Sequence, residues 1–137
     1  MDDSVINALF DAAAQVRLRA HAPYSGFAVG AAVRAEDGRV FVGCNVENAA
    51  YPSGTCAEQA AIAAMTAAGA RKIEALVVVG DGPRPVTPCG ACRQRIREFA
   101  SGNTQIHVGN LAGARQYFSM SDLLPHSFGP EFLPQGS

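Results

Sequence analysis

Apolar residues recur at helical spacing near the start of the chain, at Ile6, Leu9, Phe10, Ala13 and Val16. Spacing by three and four residues predicts an amphipathic helix over about residues 4–20. The segment Ala22-Pro23-Tyr24-Ser25-Gly26 ends this helix, because proline and glycine interrupt helical backbone. One face of the helix should therefore pack against the rest of the molecule.

Several later segments have the apolar patterns of β-strands. Phe27–Ala35 and Arg39–Asn45 are two such runs, and the tripeptide Glu36-Asp37-Gly38 between them predicts a hairpin. Leu76–Val79 is continuously apolar, which is typical of a central strand covered on both faces. Gln105–Val108 is the last segment that the pattern predicts as a strand.

Helix-start signals precede two further segments. Thr55 is a candidate N-cap for a helix that ends near residue 68, where a glycine follows. Thr87, with proline next, is a candidate N-cap for a helix that ends near residue 100. A short helix is predicted over residues 121–124. Helix, hairpin, helix, strand, helix and strand in this order predict a three-layer α/β domain with a mixed sheet.

The composition of the chain excludes several classes of protein and is compatible with the predicted α/β architecture. The chain has 137 residues, 48% of them hydrophobic, and a formal net charge of −1. We expect one domain over residues 1–137, with about 130–137 as a loose tail. Because lysines and arginines form no basic run, we expect no nucleic-acid partner. We expect no membrane association and a cytoplasmic location, because the start is acidic and no apolar stretch approaches the ~20 residues of a membrane span.

Three of the four cysteines fall where a loop enters a predicted helix. Cys89 and Cys92 are three positions apart and share a face of one helical turn, while Cys56 begins the other helix. Two helix N-termini then converge, and their partial positive charge favours thiolate over thiol. Three thiolates fill three corners of a zinc tetrahedron and leave the fourth for water, as in catalytic zinc sites. Glu58 is close enough in sequence to Cys56 to exchange that water's proton.

Other interpretations of these residues remain open at this point. Thr55 and Glu58 also fit a capping box, in which the carboxylate only bonds a backbone N–H. The pair Cys89 and Cys92 alone could form a redox dithiol or half of a four-cysteine structural zinc site. Cys44 is the only candidate for a fourth sulfur, but it lies in an apolar run and is expected to be buried and inert.

Several segments, taken in order over nearly the whole chain, resemble the motifs of the small homo-oligomeric cytidine deaminases. They are Ala22-Pro23-Tyr24-Ser25, Phe27–Ala32, Gly43–Ala49, Cys56-Ala57-Glu58, Pro88–Gln94 and Leu123–Gly129. The resemblance implies a cytidine-deaminase-like α/β/α fold with a mostly five-stranded mixed sheet. It also implies one Zn²⁺ per chain on the three cysteines, with hydrolytic deamination of cytidine and 2′-deoxycytidine in pyrimidine salvage.

The resemblance also assigns roles around the substrate. Glu58 matches the residue that moves protons to N3 of cytosine and to the departing amine. The positions that match substrate contacts are Phe27 beside the pyrimidine, the backbone of Ala57 at the base, and Asn45 with Glu47 at the ribose 3′-hydroxyl. Tyr51 and Phe128 match residues that a neighbouring subunit lends to the site, so a homotetramer is implied. From sequence alone, Phe128 could equally pack within its own chain.

One position departs from the family pattern. Gln59 stands where many relatives carry an arginine that offsets the negative charge of the thiolates. Arg93, next to Cys92, is the residue we expect to supply part of that charge. Two other functions stay open: deamination of a cytosine-nucleoside antibiotic such as blasticidin S, and a non-catalytic structural-zinc module.

Overall fold

The computed structural model describes residues 1–134. Its helices and strands, in chain order, are α1 Asp3–Arg17, β1 Val29–Ala35, β2 Val40–Cys44, α2 Ala57–Ala67, β3 Ile73–Gly80, α3 Gly90–Phe99, β4 Gln105–Asn110, β5 Arg115–Ser119 and α4 Met120–Leu123. The strands form one sheet in the order β2-β1-β3-β4-β5. Only β3 and β4 run parallel, with α3 as the crossover between them, so the sheet is mixed as predicted.

The central strand β3 packs against helices on both faces. Leu76 and Val78 belong to the core cluster with α2 and α3, whereas Val77 and Val79 belong to the cluster with α1. Because alternate side chains of a strand point to opposite faces, one continuous apolar run supplies two cores. The predicted three-layer α/β/α arrangement is confirmed.

The strand β5 is the element that the apolar pattern missed. Its residues are Arg115-Gln116-Tyr117-Phe118-Ser119, of which the first three are exposed because β5 is an edge strand. Gly113, at φ +96°, lies in the turn that joins β5 to β4. Because the first residues of this edge strand are exposed, they show no alternation of apolar and polar positions, and the strand was therefore not predicted.

The chain ends differ slightly from prediction. α1 ends at Arg17, three residues early, in a hydrogen-bonded turn. The predicted loose tail lies only partly within the described residues, and residues 135–137 lie outside them. Over the described part, Pro130–Phe132 forms a single 3₁₀ turn, and Glu131 pairs with Arg97. Of the described helices, none combines the length and apolar character needed to cross a bilayer.

The start of β1 and the ends of β2 and β3 lie at the same edge of the sheet. Val29 at the start of β1 pairs with Gly80 at the end of β3, and Gly30 pairs with Cys44 at the end of β2. The loops that leave β2 and β3 at this edge lead to the N-termini of α2 and α3. Side chains from three strands and two helices therefore converge here.

Candidate active site

Cysteines occupy the N-cap positions of both helices at this edge. Cys56 precedes α2 and Cys89 precedes α3, each with extended backbone and neither helix capped by a side-chain hydrogen bond. The predicted caps were placed too early: Thr55 pairs with Val46 through the backbone, and the Thr87 hydroxyl accepts a hydrogen bond from an arginine. Cysteine is not a preferred N-cap residue, so its presence at both positions indicates a role other than helix capping.

The three predicted cysteines meet in space. The Sγ atoms of Cys56, Cys89 and Cys92 all lie within 4.8 Å of one another. Thiolates about 2.3 Å from a tetrahedral zinc lie roughly 3.8 Å apart, so small side-chain adjustments bring these sulfurs to coordination distance. Cys44, at the end of β2, is only partly buried and does not belong to the cluster. Among the described residues, the cluster thus has three protein ligands, as an open catalytic site requires.

The polypeptide alone favours the thiolate at only one of the three sulfurs. The backbone N–H of Cys92, in the first turn of α3, lowers the pKa of the Cys89 thiol. Burial raises the pKa of Cys56 and of Cys92, and the negative charge of Glu58 acts in the same direction on both. The expected preference for thiolate at a helix N-terminus therefore holds for Cys89 alone. Deprotonation of the other two falls to the metal ion.

Glu58 is the only charged residue among the described ones that is buried, with 5% of its surface exposed. It is the second residue of α2, not the third that a capping box requires, so the capping interpretation is wrong. Burial raises the pKa of the Glu58 carboxyl group, against the opposing effects of its own backbone N–H and of Arg95. A carboxyl group with a raised pKa holds a proton more readily than an ordinary glutamate, which favours a role in proton transfer.

A cavity of about 580 Å³ opens at these residues, a volume within the range of small-ligand sites. It is lined by every predicted site residue except Cys92 and Phe128, namely Phe27, Asn45, Glu47, Tyr51, Cys56, Ala57, Glu58 and Cys89. The cavity is also lined by Tyr24, Ser25, Val78, Val86 and Thr87, none of which was predicted to belong to the site. Only the Tyr24-Ser25 motif carried a signal that could have placed them there.

The polar rim of the cavity is held by bonds between two loops. Asn45 accepts a hydrogen bond from the Val29 N–H at 2.9 Å and donates one to the Phe27 carbonyl at 2.8 Å. Glu47 accepts from the backbone N–H groups of Tyr24 and Ser25 at 2.9 and 3.1 Å, and from the Ser25 hydroxyl. That hydroxyl is the main cause of the lowered pKa of Glu47. These hydrogen bonds therefore favour the ionised form of the rim carboxylate.

The two aromatic residues predicted to act across subunits lie in different places. Tyr51 lines this chain's own cavity, is 77% exposed, and has an edge contact with Tyr24 at 5.9 Å between ring centroids. Phe128 lies outside the cavity, is 54% exposed, and stacks on Phe132. Its carbonyl accepts a hydrogen bond from Gln94.

The arginine that reaches the sulfurs is not the expected one. Arg93 donates to the carbonyls of Pro88 and Leu123 at 2.8 and 2.9 Å, which ties α3 to the chain on either side of it. Arg95 instead places Nη1 3.7 Å from Sγ of Cys92. The expectation for Arg93 is wrong because Arg95, one helical turn after Cys92, shares its face of the helix.

Known proteins with similar sequences or structures share one description. Residues 3–108 match the family model for the cytidine and deoxycytidylate deaminase zinc-binding region. The cytidine deaminase of Sporosarcina psychrophila is 45% identical over 119 residues, which cover 87% of this chain and 88% of the relative. That of Mycobacterium tuberculosis H37Rv is 39% identical over 135 residues, 98% of each chain. The crystal structure of cytidine deaminase from Burkholderia pseudomallei matches with a TM-score of 0.87 at 44% identity, covering 93% of this chain and all of that one.

The matched region contains the features described above. Cys56, Glu58, Cys89 and Cys92 all lie within residues 3–108. The relatives align with most of this chain rather than with a fragment of it. The chain therefore belongs to the family of zinc-binding cytidine and deoxycytidylate deaminases.

Proposed function

We propose that this protein deaminates cytidine and 2′-deoxycytidine hydrolytically, giving uridine and 2′-deoxyuridine with release of ammonia. The observation that carries the proposal is a three-sulfur cluster and a buried glutamate that meet in one cavity of nucleoside size. The family match and the relatives named cytidine deaminase support it. The antibiotic deaminase and the structural-zinc module are less favoured, because these relatives match over most of the chain.

Glu58 is the residue that moves protons in this reaction. Zinc held by Cys56, Cys89 and Cys92 supplies the Lewis acidity that makes a water molecule nucleophilic at neutral pH. As the water oxygen bonds to C4 of cytosine, Glu58 takes a water proton and delivers it to N3. A second transfer through the same carboxyl group protonates the amine, the C4–N bond breaks, and ammonia leaves. The raised pKa of Glu58 suits both directions of transfer.

The rest of the cavity orients the nucleoside. Phe27 offers a ring to the pyrimidine, and Ala57, the first residue of α2, offers a backbone N–H to which the helix itself gives no partner. Asn45 and Glu47 hold the ribose 3′-hydroxyl, because an amide can donate and accept while a carboxylate accepts strongly. Both side chains are already fixed by their loop partners, so substrate binding orders little of the rim.

The active enzyme is a homotetramer, with Phe128 and Tyr51 completing the sites of neighbouring subunits. The exposure of the Phe128 ring, which lies outside this chain's own cavity, supports this arrangement, whereas Tyr51 lines the cavity of its own chain. Mixing inactive Glu58→Gln subunits with Phe128→Ala subunits tests it: hybrid tetramers regain some activity if Phe128 acts across the interface, and regain none if it acts within its own chain. Native mass spectrometry of the mixture gives the oligomeric state and the hybrid composition.

The protein works in cytoplasmic pyrimidine salvage. Support comes from its four cysteines, which are all free, as is usual where the surroundings are reducing. The substrate is a small nucleoside, and the proposal includes no nucleic acid and no membrane as partners. Fractionation of cells that express the protein at native level tests the location.

The deciding experiment follows the ultraviolet absorbance of cytidine with purified protein and counts zinc per chain in the same sample. We expect conversion to uridine with one zinc per chain, and loss of both in Cys89→Ser. Blasticidin S, assayed in parallel, should be a poor substrate. Folded protein that carries zinc and leaves cytidine and 2′-deoxycytidine unchanged would contradict the proposal.

A further inference from the structure

Zinc binding leaves this site with a negative charge that the polypeptide has to balance. Three thiolates around one Zn²⁺ give the loaded site a formal charge of −1. Cys92 is fully buried, and Glu58 adds a further carboxyl group nearby. A partly buried negative charge without a cationic neighbour is costly, because little solvent is available to screen it.

The described structure offers one cation in contact with the cluster. Nη1 of Arg95 lies 3.7 Å from Sγ of Cys92, within reach of a charge-assisted N–H···S contact. That sulfur is the only hydrogen-bond acceptor that the structure gives Arg95 among the described residues. Arg93 is closer in sequence, but its guanidinium group is committed to the carbonyls of Pro88 and Leu123.

Helix α2, which lies beside α3, carries an uncharged residue at the position that corresponds to Arg95. Gln59 of α2 and Arg95 of α3 line one groove between the two helices. Gln59 is the third residue of α2, three residues after the ligand Cys56, and Arg95 likewise follows the ligand Cys92 by three. A cation on either helix could therefore approach the sulfurs from this groove, and this chain has one only on α3.

We propose that Arg95 is a positioning residue of the metal centre, whose guanidinium group offsets the charge of the three sulfurs and so strengthens zinc binding. It touches neither substrate nor reacting atoms and acts through Sγ of Cys92. A second part of the proposal is that positions 95 and 59 are interchangeable carriers of this charge. The proposal rests on the zinc site and does not depend on which nucleoside is the substrate.

The test compares zinc affinities by competition with a chromophoric chelator, without substrate. We expect Arg95→Gln to weaken zinc binding about tenfold, the effect of one charge-assisted contact reduced by the exposure of Arg95. Arg95→Lys should keep most of the affinity. Arg19→Gln, which removes an equal charge from an exposed position after α1, is the control and should leave affinity unchanged.

The decisive variant restores the charge from the other helix. Gln59→Arg in the Arg95→Gln background should recover zinc affinity to within about threefold of the natural protein, and cobalt-substituted samples should recover its thiolate-to-cobalt absorption band. Undiminished affinity in Arg95→Gln, an equal loss in Arg19→Gln, or failure of Gln59→Arg to restore it would each overturn the proposal. Because no turnover is measured, a wrong substrate assignment would leave these results intact.

Discussion

The cavity contains two carboxyl groups, Glu58 and Glu47, whose surroundings differ in almost every respect. Glu58 is buried beside the sulfurs, and burial raises its pKa. Glu47 lies at the rim, where the hydroxyl of Ser25 and two backbone N–H groups lower its pKa. The same chemical group is thus prepared to exchange protons at one end and to remain ionised at the other.

The two ends also differ in what fixes them. Glu58 and Cys56 belong to the first turn of a helix packed on the central sheet, so the core holds them in place. The rim is held by hydrogen bonds between the Tyr24–Phe27 loop and residues Asn45 and Glu47. Substitutions at the buried end should therefore mainly lower kcat, and substitutions at the rim should mainly raise KM.

Removing the proton carrier should produce the largest effect. We expect Glu58→Gln to lower kcat by at least ~10²-fold while zinc stays bound. The melting temperature should not fall, because the amide avoids the cost of burying a carboxylate at neutral pH. Glu36→Gln, on the exposed β1–β2 turn, is the control with unchanged kinetics. Wild-type turnover by Glu58→Gln would falsify the catalytic assignment.

Much of the fold and of the buried end could be predicted from the sequence. The continuous apolar run around Val77 could only be a strand covered on both sides, and it is. The three cysteines were predicted to meet because two helix N-termini converge there and three thiolates fill three corners of a zinc tetrahedron. Their exact placement at N-caps was not predicted, since threonine, which precedes Cys56 by one residue and Cys89 by two, is the better cap by propensity.

Three features of the structure were not predicted from the sequence, and each was missed for a different reason. The charge partner of the sulfurs was expected at Arg93 by adjacency, whereas helical geometry selects Arg95. The edge strand β5 was invisible because its exposed face needs no apolar residue. The ties between Glu47 and the Ser25 loop span 22 residues and follow only from the folded backbone.

A second substitution tests the junction between the two ends. A Cβ added at Gly80 would lie 2.7 Å from the Val86 side chain and 3.0 Å from the Phe27 ring. We expect Gly80→Ala to displace that ring, raise KM severalfold, and cost about 1–3 kcal/mol of stability through overpacking. Gly102→Ala is the matched control, because its nearest neighbour would be at 3.4 Å, an ordinary contact. Equal kinetics and stability in the two variants would show that Phe27 is not held in this way.

A change in substrate binding without a loss of stability is expected when only the charge of the rim is removed. Glu47→Gln keeps the shape of the side chain, so we expect KM for cytidine to rise about tenfold, the value of one hydrogen bond to a charged group, with kcat nearly unchanged. Asp37→Asn is the control: it is another exposed carboxylate whose pKa is lowered by hydrogen bonds, but it lies in the β1–β2 turn. A loss confined to kcat would place Glu47 with the proton chemistry and erase the contrast between the two ends.

The smallest effect concerns His107, a titrating group outside the cavity, and is measured as a change of melting temperature with pH. His107 stacks on Tyr117 with its ring centroid 5.3 Å away, and burial lowers its pKa, with the N-terminus and Arg115 acting in the same direction. A histidine whose folded pKa is lowered contributes full stability above its unfolded pKa of about 6.5 and loses it as the pH falls.

The imidazole should therefore destabilise the wild type at about pH 5.5 relative to about pH 7.5, and the melting temperature of His107→Phe should fall less than that of the wild type between the two values. Phenylalanine preserves the ring contacts with Phe10 and Tyr117, so packing is largely retained. Glu58, whose pKa is raised by burial, acts with the opposite sign and is present in both proteins, so the difference between wild type and His107→Phe reports the imidazole. An identical shift in wild type and variant would mean that the pH dependence arises elsewhere, and melting curves at the two pH values decide between these outcomes.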